Sequence, residues 1–207
     1  MLNSNNQIFK TLPEDYHLLK TINLKEDKLT LIGIAATAIL IGWVMIEIMD
    51  SFVPLKTYFE PCQNTTEHIL AYVFLLMGAF ICIVLHKLTK GLSMKRHGAS
   101  KVFFHFNGIG CREYIGKKPY TFIALAPLVI WGIIFLLLIL IIKGQYFWLV
   151  YFIQVVNVAG SMGDIYAALV LRKCSDDTLV EDKGTIIHFY SKTEDVLLAQ
   201  ATKGGLG

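Results

Sequence analysis

Four long apolar runs decide what this chain can fold into. They are Leu29 to Ile46, Ile69 to Leu85, Thr121 to Ile142 and Tyr146 to Leu171. Wound as helices, they match a hydrocarbon core about 30 Å thick. The first carries no charge, and the fourth is interrupted by polar and small residues. Lipid offers backbone amides no partner, so such runs must satisfy their hydrogen bonds internally, as helices. A chain of 207 residues, 55% hydrophobic and 17% charged, is hard pressed to bury four of them in a soluble core. The expected fold is an all-α integral membrane protein. Its helices should lie at about 29–48, 69–86, 120–142 and 146–171. The first 28 residues are polar and mixed in charge. The run that follows is too long for the apolar core of a signal peptide, so no secretory signal is expected.

Charge placement then orients the helices. The N-terminal segment carries Lys10, Lys20, Lys25 and Lys28, and the first connection only Lys56. The second connection carries Lys87, Lys90, Lys95, Arg96, Lys101, Arg112, Lys117 and Lys118, the third only Lys143, and the tail opens Arg172-Lys173. Rich and poor connections alternate, as in a multi-pass protein of the cell membrane with both termini cytoplasmic. Anchoring to anionic lipid explains the basic loop better than nucleic acid does, so the bilayer is the expected partner and nucleic acid is not.

The domain plan is a cytoplasmic arm over 1–28, a four-helix membrane domain over 29–172 and a cytoplasmic tail over 173–207. Pro13-Glu14-Asp15 suits the start of a short helix. The stretch 101–116, with Asn107-Gly108 inside it, reads as a cytoplasmic β-hairpin. Asp182-Lys183-Gly184 followed by Thr185 to Tyr190 reads as a turn and a strand, so a small sheet is expected beside the helices. Cys62, Cys82, Cys111 and Cys174 have neither metal-site nor redox-motif spacing and are expected as free thiols. Asn64-Thr65-Thr66 is a formal glycosylation sequon on the outer loop.

The second run ends in His86-Lys87-Leu88-Thr89-Lys90. In an H-E-x-x-H helix, two histidines one turn apart hold zinc and the glutamate is the general base. Here Lys87 stands at the base position and Lys90 at the second-histidine position. Two groups that should take a proton or bind a cation are themselves cations. In the fourth run Asn157, Gly160, Ser161 and Asp164 recur at one-face helical spacing. Small residues there allow close helix approach, whereas an intramembrane carboxylate needs a cavity or a partner. Topology puts Asp164 and His86 at similar depth. Lys90, one turn from His86, is the expected counter-ion of Asp164.

These segments, in this order, resemble the putative zincin peptidase family of bacterial multi-pass membrane proteins, relatives of site-2-type intramembrane metalloproteases. The resemblance is carried by Leu12-Pro13-Glu14-Asp15-Tyr16, by Leu85-His86 through Lys95, and by Tyr120 to Pro127. Asn157 to Asp164 and Val180-Glu181-Asp182 complete it. It implies a metalloprotease fold with a degenerate motif. His86 and Asp164 would be vestigial metal ligands, the residue at 90 the missing ligand and the residue at 87 the missing base. No residue is assigned as catalytic, and Asn157 and Ser161 are further intramembrane polar groups. Zinc belongs to intact relatives and is not expected here. The expected function is a non-catalytic pseudoprotease that binds another membrane protein or a peptide. Two alternatives stand beside it. One is an active zinc metallopeptidase with an atypical site, drawing on His105. The other is a transporter component with Asp164 on a polar path.

Overall fold

The computed structural model describes residues 8–105, 108–144 and 146–192. In order, the elements are β1 (Ile8–Phe9), β2 (Tyr16–Asn23), α1 (Lys28–Asp50), α2 (Lys56–Phe59), α3 (Thr65–Arg96), β3 (Val102–His105), β4 (Gly108–Cys111), β5 (Tyr114–Gly116), α4 (Lys117–Ile141), α5 (Tyr146–Gly160), α6 (Met162–Arg172), β6 (Leu179–Asp182) and β7 (Ile186–Lys192). Four helices are long and apolar enough to cross a membrane: Lys28–Asp50, Thr65–Arg96, Lys117–Ile141 and Tyr146–Arg172. They coincide with the four apolar runs. The chain divides into two compact units, one of residues 1–31, 90–125 and 164–207 and the other of 32–89 and 126–163.

The first unit holds all the strands. Five of them form an antiparallel sheet in the order β1-β5-β6-β7-β2, and β3 and β4 pair separately. Strand β7 alternates strictly, burying Ile187, Phe189 and Ser191, as a strand with one face on a core must. The tail turn is present. Gly184 takes a positive φ of 92°, and its N–H donates to Asp182 Oδ1 at 2.7 Å, an Asx-type turn closing β6 onto β7. The core of this unit gathers Met94, Ile109, Ile115, Tyr120, Leu171, Val180 and Phe189.

Several expectations are corrected here. Pro13 starts no helix; Tyr16 N–H donates to Pro13 O at 3.1 Å in a turn. Residues 16–23 then form β2, which pairs with β7 from Tyr16↔Lys192 to Asn23↔Ile186. The long-range pairing with β7 outweighs the weak local helix signal, and Tyr16, Thr21 and Ile22 suit a strand. The hairpin strands β3 and β4 form a sheet of their own. Residues 106 and 107, where the hairpin turn was expected, and the side chain of His105 lie outside the described residues.

Helix α3 continues past His86 to Arg96. Its last turn is built from Lys, Leu, Ser and Met, and nothing breaks it before Gly98. There the chain takes a φ of 107°, Gly98 N–H donates to Lys95 O at 3.0 Å and Ala99 N–H to Met94 O at 3.1 Å. This is a Schellman cap, which needs a residue that tolerates left-handed backbone. Past it, Glu113 Oε1 accepts the Ser100 amide at 2.8 Å, the Ser100 hydroxyl and the Lys101 amide at 3.3 Å. Burial works to raise the Glu113 carboxyl, but these donors outweigh it and hold it below the usual carboxylate range.

The second unit contains α2, α5 and most of α1, α3 and α4. Its core is Tyr58, Ala71, Trp148, Tyr151 and Val155. Tyr58 OH donates to Ala71 O at 2.8 Å, and Tyr151 OH to Met45 O at 2.8 Å. Each buried hydroxyl is thus satisfied. Large apolar side chains point outward along the helices, among them Ile39 at 73%, Phe80 at 66%, Leu140 at 71% and Ile141 at 74% exposed. In water that surface would cost about 25 cal/mol per Å². Asn64 caps α3 instead of standing free as a sequon: Glu67 N–H donates to Asn64 Oδ1 at 3.0 Å, and Asn64 Nδ2 donates back to Glu67 Oε1 at 3.1 Å.

The fourth long apolar helix is interrupted. Residue 161 separates α5 from α6. Ser161 Oγ donates to Asn157 O at 2.6 Å, and Ser161 N–H reaches back to Val158 O at 3.1 Å, a tighter turn. A hydroxyl that bonds the preceding turn competes with the helical ladder, and Gly160 and Gly163 on either side add little helix propensity. The one-face spacing expected for Asn157, Gly160, Ser161 and Asp164 therefore does not run through an unbroken helix.

Candidate functional site: a buried lysine between two aspartates

Four elements of the first unit converge on one cluster. Lys90 comes from the last third of α3, Tyr120 from the first turn of α4, Asp164 from the first turn of α6, and Asp182 from the last position of β6. Lys90 Nζ lies 2.7 Å from Asp164 Oδ1 and 3.0 Å from Asp182 Oδ2. Tyr120 OH donates to Asp182 Oδ2 at 3.1 Å. Lys90 is 8% exposed, and Tyr120 and Asp182 are fully buried.

An ammonium this buried persists only where it is paired and hydrogen-bonded. Here it has two carboxylates. The pair of aspartates in turn needs more than one cation. Asp182 supplies the answer locally, since it also accepts from Tyr120 OH and from the Gly184 amide. Burial raises the Asp182 carboxyl above its ordinary range, while Lys90 and the Gly184 amide pull it back down. The strand-to-turn geometry matters here. Ending β6 at Asp182 and turning at Gly184 aims one oxygen at the turn amide and leaves the other for Lys90.

The pairing of Lys90 with Asp164 expected from helix spacing is present. Asp182 and Tyr120 were not expected in it. The available signal was a carboxylate at the end of the apolar stretch Leu179-Val180, where a solvated turn residue was the simpler reading. His86 and Lys87 are half-buried on α3, with His86 one turn before Lys90. Asn157 and Ser161 belong to the other unit and serve its backbone. Asn157 Nδ2 donates to Leu128 O at 3.2 Å, and Asn157 O accepts from Ser161. Asn157 Oδ1 is buried without a protein partner among the described residues.

The donor set does not suit zinc. Lys90 Nζ sits against both carboxylates, and a protonated amine has no lone pair to give a metal. Among the described residues, no group of three or more His, Cys, Asp or Glu side chains is arranged to hold a metal ion.

A family model described as "Putative zincin peptidase" matches residues 79–179. The matched segment belongs to that family. It takes in His86, Lys87, Lys90, Tyr120 and Asp164, and it stops three residues short of Asp182. No curated protein and no solved structure matches the chain.

Proposed function

We propose that this chain is a non-catalytic member of the zincin peptidase family. In this reading it is a membrane protein of metalloprotease descent that binds another membrane protein or a peptide without cutting it. One observation carries the reading: the Lys90 ammonium on Asp164 and Asp182, at 2.7 and 3.0 Å. That cation fills the charge requirement a metal would meet. Lys87, at the base position, cannot accept a proton from water as glutamate does. His86 and Asp164 would remain as vestigial ligands, fewer than the three protein ligands that catalytic zinc uses. The test is zinc content by mass spectrometry on the purified full chain, with a peptide-library cleavage assay beside it. The expected result is far less than one zinc per chain and no chelator-sensitive cleavage. One equivalent of zinc together with chelator-sensitive cleavage would instead support an active peptidase with an atypical site.

The same reading sets the four helices across the cell membrane with both termini cytoplasmic, supported by the lysine and arginine distribution. Impermeant thiol reagents should reach Cys62 from outside intact cells and Cys174 only after permeabilisation. The reverse labelling pattern would reject this orientation.

A further inference from the structure

Away from the Lys90 cluster, the strand unit contains a cavity of about 840 Å³. Its wall includes Lys10, Arg112 and Lys183, the aromatic rings of Phe103 and Tyr114, and Glu181. We propose that this cavity binds an anionic, phosphate-bearing ligand. Three cations line it against one carboxylate, and that carboxylate is already engaged. Glu181 Oε1 lies 3.1 Å from Lys183 Nζ, and Glu181 Oε2 accepts from Tyr190 OH at 3.3 Å. Among the described residues neither Lys10 nor Arg112 has a carboxylate partner. Two uncompensated cations therefore face one concavity, where low-dielectric walls concentrate their field.

Arg112 is also held in place. Its guanidinium lies 5.2 Å from the centroid of the Phe103 ring, a cation–π contact that restrains the fork while leaving its N–H groups available. A planar fork beside a lysine point charge suits a tetrahedral phosphate oxyanion, and the rings offer apolar surface to whatever the phosphate esterifies. The volume falls within the range of small-molecule sites, about 300–1,000 Å³. Strand alternation sends Glu181 to this cavity and Asp182 to the opposite face of β6, so the cavity is separate from the Lys90 cluster. The phosphate could reach it on a soluble ester or on a lipid headgroup, and the two arms of the test distinguish these sources.

The full chain is reconstituted in nanodiscs of phosphatidylcholine and titrated with glycerol 3-phosphate by calorimetry. In the second arm, phosphatidylglycerol is added to the nanodiscs, and lipid retained on the protein is counted by native mass spectrometry. The expected result is saturable one-to-one binding of at least one of the two probes. Lys10→Gln with Arg112→Gln should weaken it at least about tenfold, whereas Lys95→Gln, outside the cavity, should not. Unfolding midpoints confirm that the variants are folded. Should the double variant fail to fold, Lys10→Gln alone is judged by the same loss. Binding of the soluble ester assigns a small-molecule site, and retention of the lipid alone assigns a headgroup site. If neither probe binds saturably, or if the folded variants bind as the parent does, the proposal is overturned.

Discussion

Replacing Lys90 with alanine should destabilise the protein by about 3–5 kcal/mol, the usual cost of removing one member of a buried ion pair. For a chain of this size that corresponds to a fall in unfolding midpoint of roughly 6–20 °C. The size of the effect comes from what stays behind. Asp164 and Asp182 both lie within 3.0 Å of Lys90 Nζ, so its loss removes the one cation that touches both of these carboxylates. Lys90→Met with Asp164→Asn should recover part of the loss. Adding Asp182→Asn should recover more, because the second carboxylate is then neutral too. Thermal unfolding of the purified variants in one detergent measures the cycle. Strict additivity of the single substitutions would mean that Lys90 turns toward lipid headgroups and interacts with neither aspartate, and the cluster would lose its role.

What the sequence made legible here is set by the range of the interactions involved. The four helices follow from uninterrupted apolar runs, a local property, and they are present with shifts of a few residues except at the end of α3. The Lys90–Asp164 pair was legible for a related reason. A carboxylate inside a helix needs a cation, and few cations lie near the right depth. Strand β2 was not legible. Its alternation is poor, with a bulge between Leu18 and Lys20, and it exists because β7, far along the chain, supplies its hydrogen bonds. Asp182 stayed hidden for the same reason, since only the sheet carries the end of β6 to the start of α4 and the last third of α3. The break at Ser161 was visible as Gly160-Ser161-Met162-Gly163 but read as a packing surface. Glycines and a serine serve both roles, and their spacing alone does not separate a close helix contact from a bend.

Lys87→Glu combined with Lys90→His should make the chain take up about one equivalent of zinc, against far less than one expected for the parent. The double substitution writes H-E-x-x-H along α3, which is a continuous helix from Thr65 to Arg96. Residues four apart on such a helix project from one face, so His86 and a histidine at 90 would point the same way. Position 90 already faces oxygen ligands, as the distances from Lys90 Nζ to Asp164 and Asp182 show. A histidine there is shorter than lysine and neutral, so it vacates the place of the ammonium and leaves two carboxylates facing a gap. Zinc bonds of about 2.0–2.2 Å to nitrogen and oxygen could then bridge it. Uptake should depend on Asp164, and Asp164→Asn in the double variant, which removes a ligand, should lower affinity by more than the roughly 10- to 100-fold typical of losing a group that only supports a ligand. Cleavage activity is a separate matter, because the groups around a working zinc site tune it as much as its ligands do. Metal content and a zinc titration on the folded variant give the answer. A folded double variant that binds no zinc would show that positions 86, 90 and 164 do not converge on one ion, and the descent of this site from a metal centre would be refuted.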